Sequence, residues 1–121
     1  MKPVVIELVQ RHSNENCDWN IDWMGYLITE NNPLTFHHII KKADGGEMSV
    51  ENGALLTQDA HNELNVIEQK YPSTYIELNK LFAELNISGK PPTEEYWHKL
   101  RLILSKMETP RAPVKVYRKT I

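Results

Sequence analysis

The stretch that most narrows the fold runs from Leu34 to Asn65. LTFHHIIK (34–41) is rich in β-branched and aromatic residues and reads as a strand, broken by Asp44-Gly45-Gly46. A second short strand fits Gly53 to Leu56. Asp59 then offers an N-cap, its side chain able to accept from the free amides of a first helical turn. The helix it opens would carry Ala60, Leu64, Ile67 and Tyr71 on one stripe and end at Pro72. A chain so punctuated can make a strand, a glycine-rich turn, a second strand and a helix, and little else.

Around that core the signals are plainer. Residues 3–9 (PVVIELV) form a run too short for periodicity to decide between strand and helix. Residues 11–33 are polar, with Trp19, Trp23, Tyr26 and Leu27 as anchors, and Asn31-Asn32-Pro33 marks a turn. Ser73 is placed to cap a further helix with Tyr75, Leu78, Phe82 and Leu85 on one face. A helix started by Thr93-Glu94-Glu95-Tyr96 would bury Tyr96, Leu100, Ile103, Leu104 and Met107, ending before Pro110 and Pro113. The expected fold class is α+β, mostly α: a two-stranded antiparallel hairpin and its helix, with additional packing helices. The expected division is one domain over 1–109, with its core at 34–70 and a helical extension at 73–108, then an extended tail over 110–121.

At 121 residues a single domain can bury a real core without disulfides. One cysteine, Cys17, excludes an intrachain disulfide and fits a reducing compartment. No signal-peptide pattern or membrane-length apolar run is present, so a soluble, cytoplasmic protein is expected. Net charge is −2, but its distribution is lopsided. Residues 1–109 hold ten Lys and Arg against sixteen Asp and Glu, net −6, whereas 110–121 hold Arg111, Lys115, Arg118 and Lys119 with no acid, net +4. A basic arm on an acidic body can contact nucleic acid, and can equally be a solvated tail.

The chemistry-bearing residues concentrate in the same core. His37 and His38 on the first strand and His61 in the first helical turn could bring imidazoles towards one point, where they suit Zn²⁺, Ni²⁺, Mn²⁺ or similar ions. Each is weak alone; their order and spacing raise the set above chance. HHII, then ADGG, then ENGALL, with His61 nine residues after Asn52, resembles an HNH endonuclease of the ββα-metal fold. The likeness covers about thirty residues.

That resemblance implies a divalent-metal-dependent endonuclease that hydrolyses phosphodiester bonds in DNA, with RNA left open, and yields a 5′-phosphate and a 3′-hydroxyl. It implies His38 as general base, Asn52 as the residue orienting it, and His37, His61 and the weaker Asn65 as metal ligands. Small stand-alone members resemble those of phages and mobile elements. Two departures qualify it. The positions of the family's structural zinc pairs hold Cys17 and Asn20, then Thr57 and Ala60, so no Zn–S₄ site and no structural zinc are expected. His37 stands where Mg²⁺-using members carry aspartate, which favours a transition metal, with Mg, Mn, Ni and Zn not distinguished. A geometric demand also follows: neighbouring strand residues face opposite ways, so His37 and His38 share a site only if the strand twists or bulges there. The alternative reading is a catalytically weak or inactive HNH-fold protein serving as a nucleic-acid or protein binding module or inhibitor. His12, His98 and Cys17 join no constellation; His98 reads as surface or packing and Cys17 as a small buried hydrophobe.

Overall fold

The computed structural model describes residues 1–13 and 20–107. Pro3 resolves the ambiguity at the N-terminus: its fixed φ suits a first helical position, and α1 runs Pro3–Arg11 with Val5 and Leu8 buried three residues apart. After the turn-rich segment come β1 (Leu34–His38) and β2 (Gly53–Thr57), paired antiparallel with Leu34 opposite Thr57 and His38 opposite Gly53. The ladder is regular. Two short 3₁₀ turns, Lys42–Asp44 and Val50–Asn52, shape the connection between the strands. Three helices follow: α2 (Gln58–Lys70), α3 (Pro72–Ser88) and α4 (Glu94–Leu104). The hairpin-then-helix core with packing helices is the α+β arrangement that the sequence points to.

Two helix starts differ from expectation. Thr57, not Asp59, caps α2, its hydroxyl accepting from the Ala60 amide at 3.2 Å. Asp59 instead lies within the first turn, its own amide held by Asn32 Oδ1 at 2.9 Å. Pro72 both ends α2 and occupies the first position of α3, so the two helices meet at Tyr71 and Ser73 is no cap. At α4, Thr93 caps as expected, accepting from Tyr96 N at 3.2 Å.

β2 is buried along its whole length because α1, α2 and α3 all pack against it. Leu8, Leu55, Leu56, Leu64, Leu78, Phe82 and Leu100 are sealed from solvent, and each such side chain contributes about 1.5–3 kcal/mol on burial. α3 is stitched to the hairpin by polar contacts too: Asn86 Nδ2 donates to the carbonyls of Val50 (2.7 Å) and Gly53 (2.8 Å). The ion pairs that α3 makes with Lys99 of α4 (Glu84) and with Lys106 just beyond it (Glu77) are solvent-exposed and contribute about 0–1 kcal/mol each. Among the described residues no helix is long and apolar enough to cross a membrane.

The segment before β1 is anchored by Asp22 and Trp23. Trp23 is fully buried; its amide donates to the Leu55 carbonyl at 2.9 Å and its carbonyl accepts from the Tyr96 hydroxyl at 2.5 Å. His12, the C-cap of α1, meets the indole edge-on at 5.1 Å and hydrogen-bonds the Lys90 carbonyl through Nδ1 at 2.9 Å. Asp22 is equally buried. Its Oδ1 accepts from the amides of Met24 and Tyr26, both at 2.9 Å, and its Oδ2 from the Thr57 amide and hydroxyl, both at 2.7 Å. Burial pushes this carboxyl above its ordinary range while the four donors pull it back. Thr57 and Ala60 stand at two of the zinc-pair positions, and here the Thr57 hydroxyl joins Asp22 to the start of α2. Cys17 and Trp19 lie outside the described residues.

Candidate metal centre and catalytic strand

The regular ladder decides which residues share a face. Thr35 and His37 point one way from β1, Phe36 and His38 the other. No bulge interrupts the ladder, so the two histidines leave β1 on opposite faces. His38 is half-buried with its ring edge-on to Phe36 at 4.8 Å, and no hydrogen bond reaches its ring nitrogens among the described residues. It nevertheless sits close enough for its charge to bear on both His37 and His61.

His37 and His61 come together. Their ring centroids are 5.4 Å apart with planes at 70°. With metal–nitrogen bonds of about 2.0–2.1 Å, two imidazoles sharing one ion have centroids roughly 4.5–5.5 Å apart. The separation therefore suits a shared ion, provided the lone pairs are on the right nitrogens.

Hydrogen bonding fixes them. Thr35 Oγ1 lies 2.7 Å from the Leu56 carbonyl oxygen and 2.6 Å from His61 Nδ1. The carbonyl can only accept, so it takes the single hydroxyl proton, and Thr35 must accept from Nδ1–H. The neutral His61 ring thus carries its lone pair on Nε2. On the other ring, His37 Nε2 sits 2.8 Å from Asn79 Oδ1. That oxygen accepts, so the proton is on Nε2 and the lone pair on Nδ1. One nitrogen of each ring is held by a neighbour and the other is left for a ligand, the arrangement usual for metal-binding histidines.

Burial keeps both rings neutral. His37 is buried, meets Phe82 edge-on at 5.8 Å, and is pushed down to about 4, chiefly by desolvation, with the Asn79 bond opposing and the charges of His61 and His38 adding. His61 is also lowered, first by desolvation and then by His38. Both are in the lone-pair form near neutral pH.

No group of three His, Cys, Asp or Glu side chains able to hold an ion occurs among the described residues. Among the described residues the candidate ligands brought together are two imidazoles, His37 and His61. Asn65, one turn beyond His61 on α2, is exposed. Glu68, a further turn on, is near enough to bear on His37 and is hydrogen-bonded to Lys41, whose ammonium also lies 5.6 Å from the centre of the Tyr75 ring.

Asn52 acts on the backbone after His38. Its Oδ1 accepts from Ile40 N at 2.7 Å, and its Nδ2 donates to the carbonyls of Ile40 and Glu47, both at 3.0 Å. Its own carbonyl accepts from Ile39 N at 2.9 Å. Gly46 makes room for this closure: a Cβ there would lie 1.8 Å from the Ile40 oxygen and 2.8 Å from Asn52 Nδ2.

Sequence reasoning missed Thr35, Asn79, Glu68 and Asp22. Thr35 carried a usable signal, lying two residues before His37 and hence on the same strand face. Asn79 carried none, because its partner is 42 positions away in the chain; the bonds that tie Asp22 to Thr57 span 35. His98 is exposed and His12 is a packed structural residue. Arg111, Lys115, Arg118 and Lys119 lie outside the described residues.

A family model described as HNH endonuclease matches residues 15–65. No curated protein and no solved structure matches the chain.

Proposed function

We propose, from the match of an HNH endonuclease family model to residues 15–65, that the chain is a divalent-metal-dependent endonuclease that hydrolyses phosphodiester bonds in DNA. The observation that carries the metal site is the pairing of His37 with His61 at 5.4 Å, each ring with one nitrogen bonded to a neighbour and the other bearing a lone pair. His37 Nδ1 and His61 Nε2 would hold the ion, with Asn65 at the exposed margin. Two neutral imidazoles favour a transition metal over Mg²⁺. A bound ion would supply Lewis-acid stabilisation of charge on the scissile phosphate and leaving oxygen.

In this reading His38 is the general base: its ring leaves β1 on the face opposite His37, yet lies near enough for its charge to bear on both His37 and His61. Its ring nitrogens are bonded to nothing among the described residues, so one is open to take a proton from an attacking water. A histidine suits that role because its ordinary range straddles neutrality. Asn52 positions this base through the backbone, fixing Ile39 and Ile40 directly after it. The basic tail, Arg111 to Lys119, contacts phosphates along the DNA, and residues 1–109 act as one domain.

Supercoiled plasmid incubated with the full chain in Mn²⁺, Ni²⁺, Zn²⁺ or Mg²⁺ tests this reading. Nicking is expected to need added metal, to stop with EDTA, and to fall about 10²–10⁴-fold in His38→Ala with metal affinity retained. Wild-type rates in His38→Ala would remove it as the base. DNA binding without nicking in any metal would make the chain a binding module on this scaffold.

A further inference from the structure

The matched residues end at 65, yet the Nε2 atom of His37 is bonded to a residue on α3. Asn79 is half-buried, one position beyond the sealed Leu78, with its amide oxygen 2.8 Å from that nitrogen. A neutral imidazole has two tautomers, and only one leaves Nδ1 bare. In water they interconvert freely; beside a lone acceptor the ring must put its proton on the facing nitrogen. His61 receives the same service from Thr35 within the matched segment. His37 receives it from outside.

We propose that Asn79 is a positioning residue of the metal site: it holds His37 as the Nε2–H tautomer and so presents Nδ1 to the ion. This rests on the metal reading above and extends it, because α3 then completes the nuclease site as well as packing on the hairpin. Phe82, one turn along α3, fixes the ring plane edge-on from the same helix. Partners of this kind usually contribute 10–100-fold to metal affinity.

The tautomer is observable without metal or activity. Long-range ¹H–¹⁵N spectra of the metal-free full chain near neutral pH should show His37 protonated at Nε2. Asn79→Leu, which removes the acceptor, should give mixed tautomers and weaken Ni²⁺ binding by about 10–100-fold in calorimetric titration. Asn79→Asp, which can only accept, should keep both the tautomer and the affinity. If Asn79→Leu does not fold, Asn79→Ser draws the acceptor out of reach and carries the same expectation. A purely structural Asn79 would lower stability and leave tautomer and affinity alone.

Wild-type His37 protonated at Nδ1 overturns the proposal. So does unchanged Ni²⁺ affinity in the acceptor-free variant while His61→Ala loses binding. If neither wild type nor any variant binds Ni²⁺, Mn²⁺ or Zn²⁺, the metal reading itself falls and this inference with it.

Discussion

Acid should unfold the metal-free chain through His37. In the unfolded chain this ring takes a proton near pH 6.5, whereas in the fold burial holds it down to about 4. Between those values the unfolded state binds a proton that the folded state refuses. Stability contributed by keeping the ring neutral is therefore full above about pH 6.5 and falls as pH drops towards 4. The full shift corresponds to about 3 kcal/mol, and linkage places about 2 kcal/mol of that loss at pH 5. Urea unfolding followed by tryptophan fluorescence, in EDTA at pH 7.5, 6 and 5, measures it. His37→Gln provides the comparison: His61 is depressed and Asp22 raised in both proteins, so their contributions cancel in the difference. Wild type should lose about 2 kcal/mol more than the variant between pH 7.5 and 5. Parallel pH–stability curves would show that His37 is not held neutral by burial, and would sink the reasoning.

Three further outcomes follow from the geometry. Asp22→Ala leaves four donors without their acceptor in a sealed site and should cost at least about 3 kcal/mol in chemical unfolding. Gly46→Ala puts a methyl group into the Ile40 carbonyl, which is backbone and cannot swing away; a loss of about 1–3 kcal/mol is expected, together with slower nicking as Asn52 loses its grip. Deleting residues 110–121 should flatten the slope of log K against log salt for DNA binding by up to roughly 3–4 units while nicking at saturating DNA changes little. An unchanged slope would mean that the tail is no phosphate-contacting arm.

How much of this was legible in the sequence depends on range. The hairpin and α2 were readable because β-branched runs, Asp44-Gly45-Gly46 and the Ala60, Leu64, Ile67 stripe are local signals. The α2 cap was misread because Asp59 and Thr57 are both competent caps. The choice between them was made by Asp22, which binds Thr57 from 35 residues away. Ser73 lost to Pro72 for a local reason, since proline's fixed φ can open a helix as readily as its missing amide closes one. Strand periodicity correctly warned that His37 and His38 face apart, and the regular ladder keeps them so. The pairing of His37 with His61 was anticipated, whereas the hydrogen bonds that set their tautomers depended on Leu56 and Asn79, whose nearness only the fold creates.

The stitching of α3 onto the hairpin separates two things that are easily equated: the span by which a domain is recognised and the span that can exist alone. A fragment stopping at residue 65 would cut α2 in mid-helix. It would also strip Phe82 and Leu78 from the core and leave the carbonyls of Val50 and Gly53 without Asn86. Such a fragment keeps the recognisable signature and loses the contacts that close its core. Grafting or shuffling this fold would have to move α3 with it.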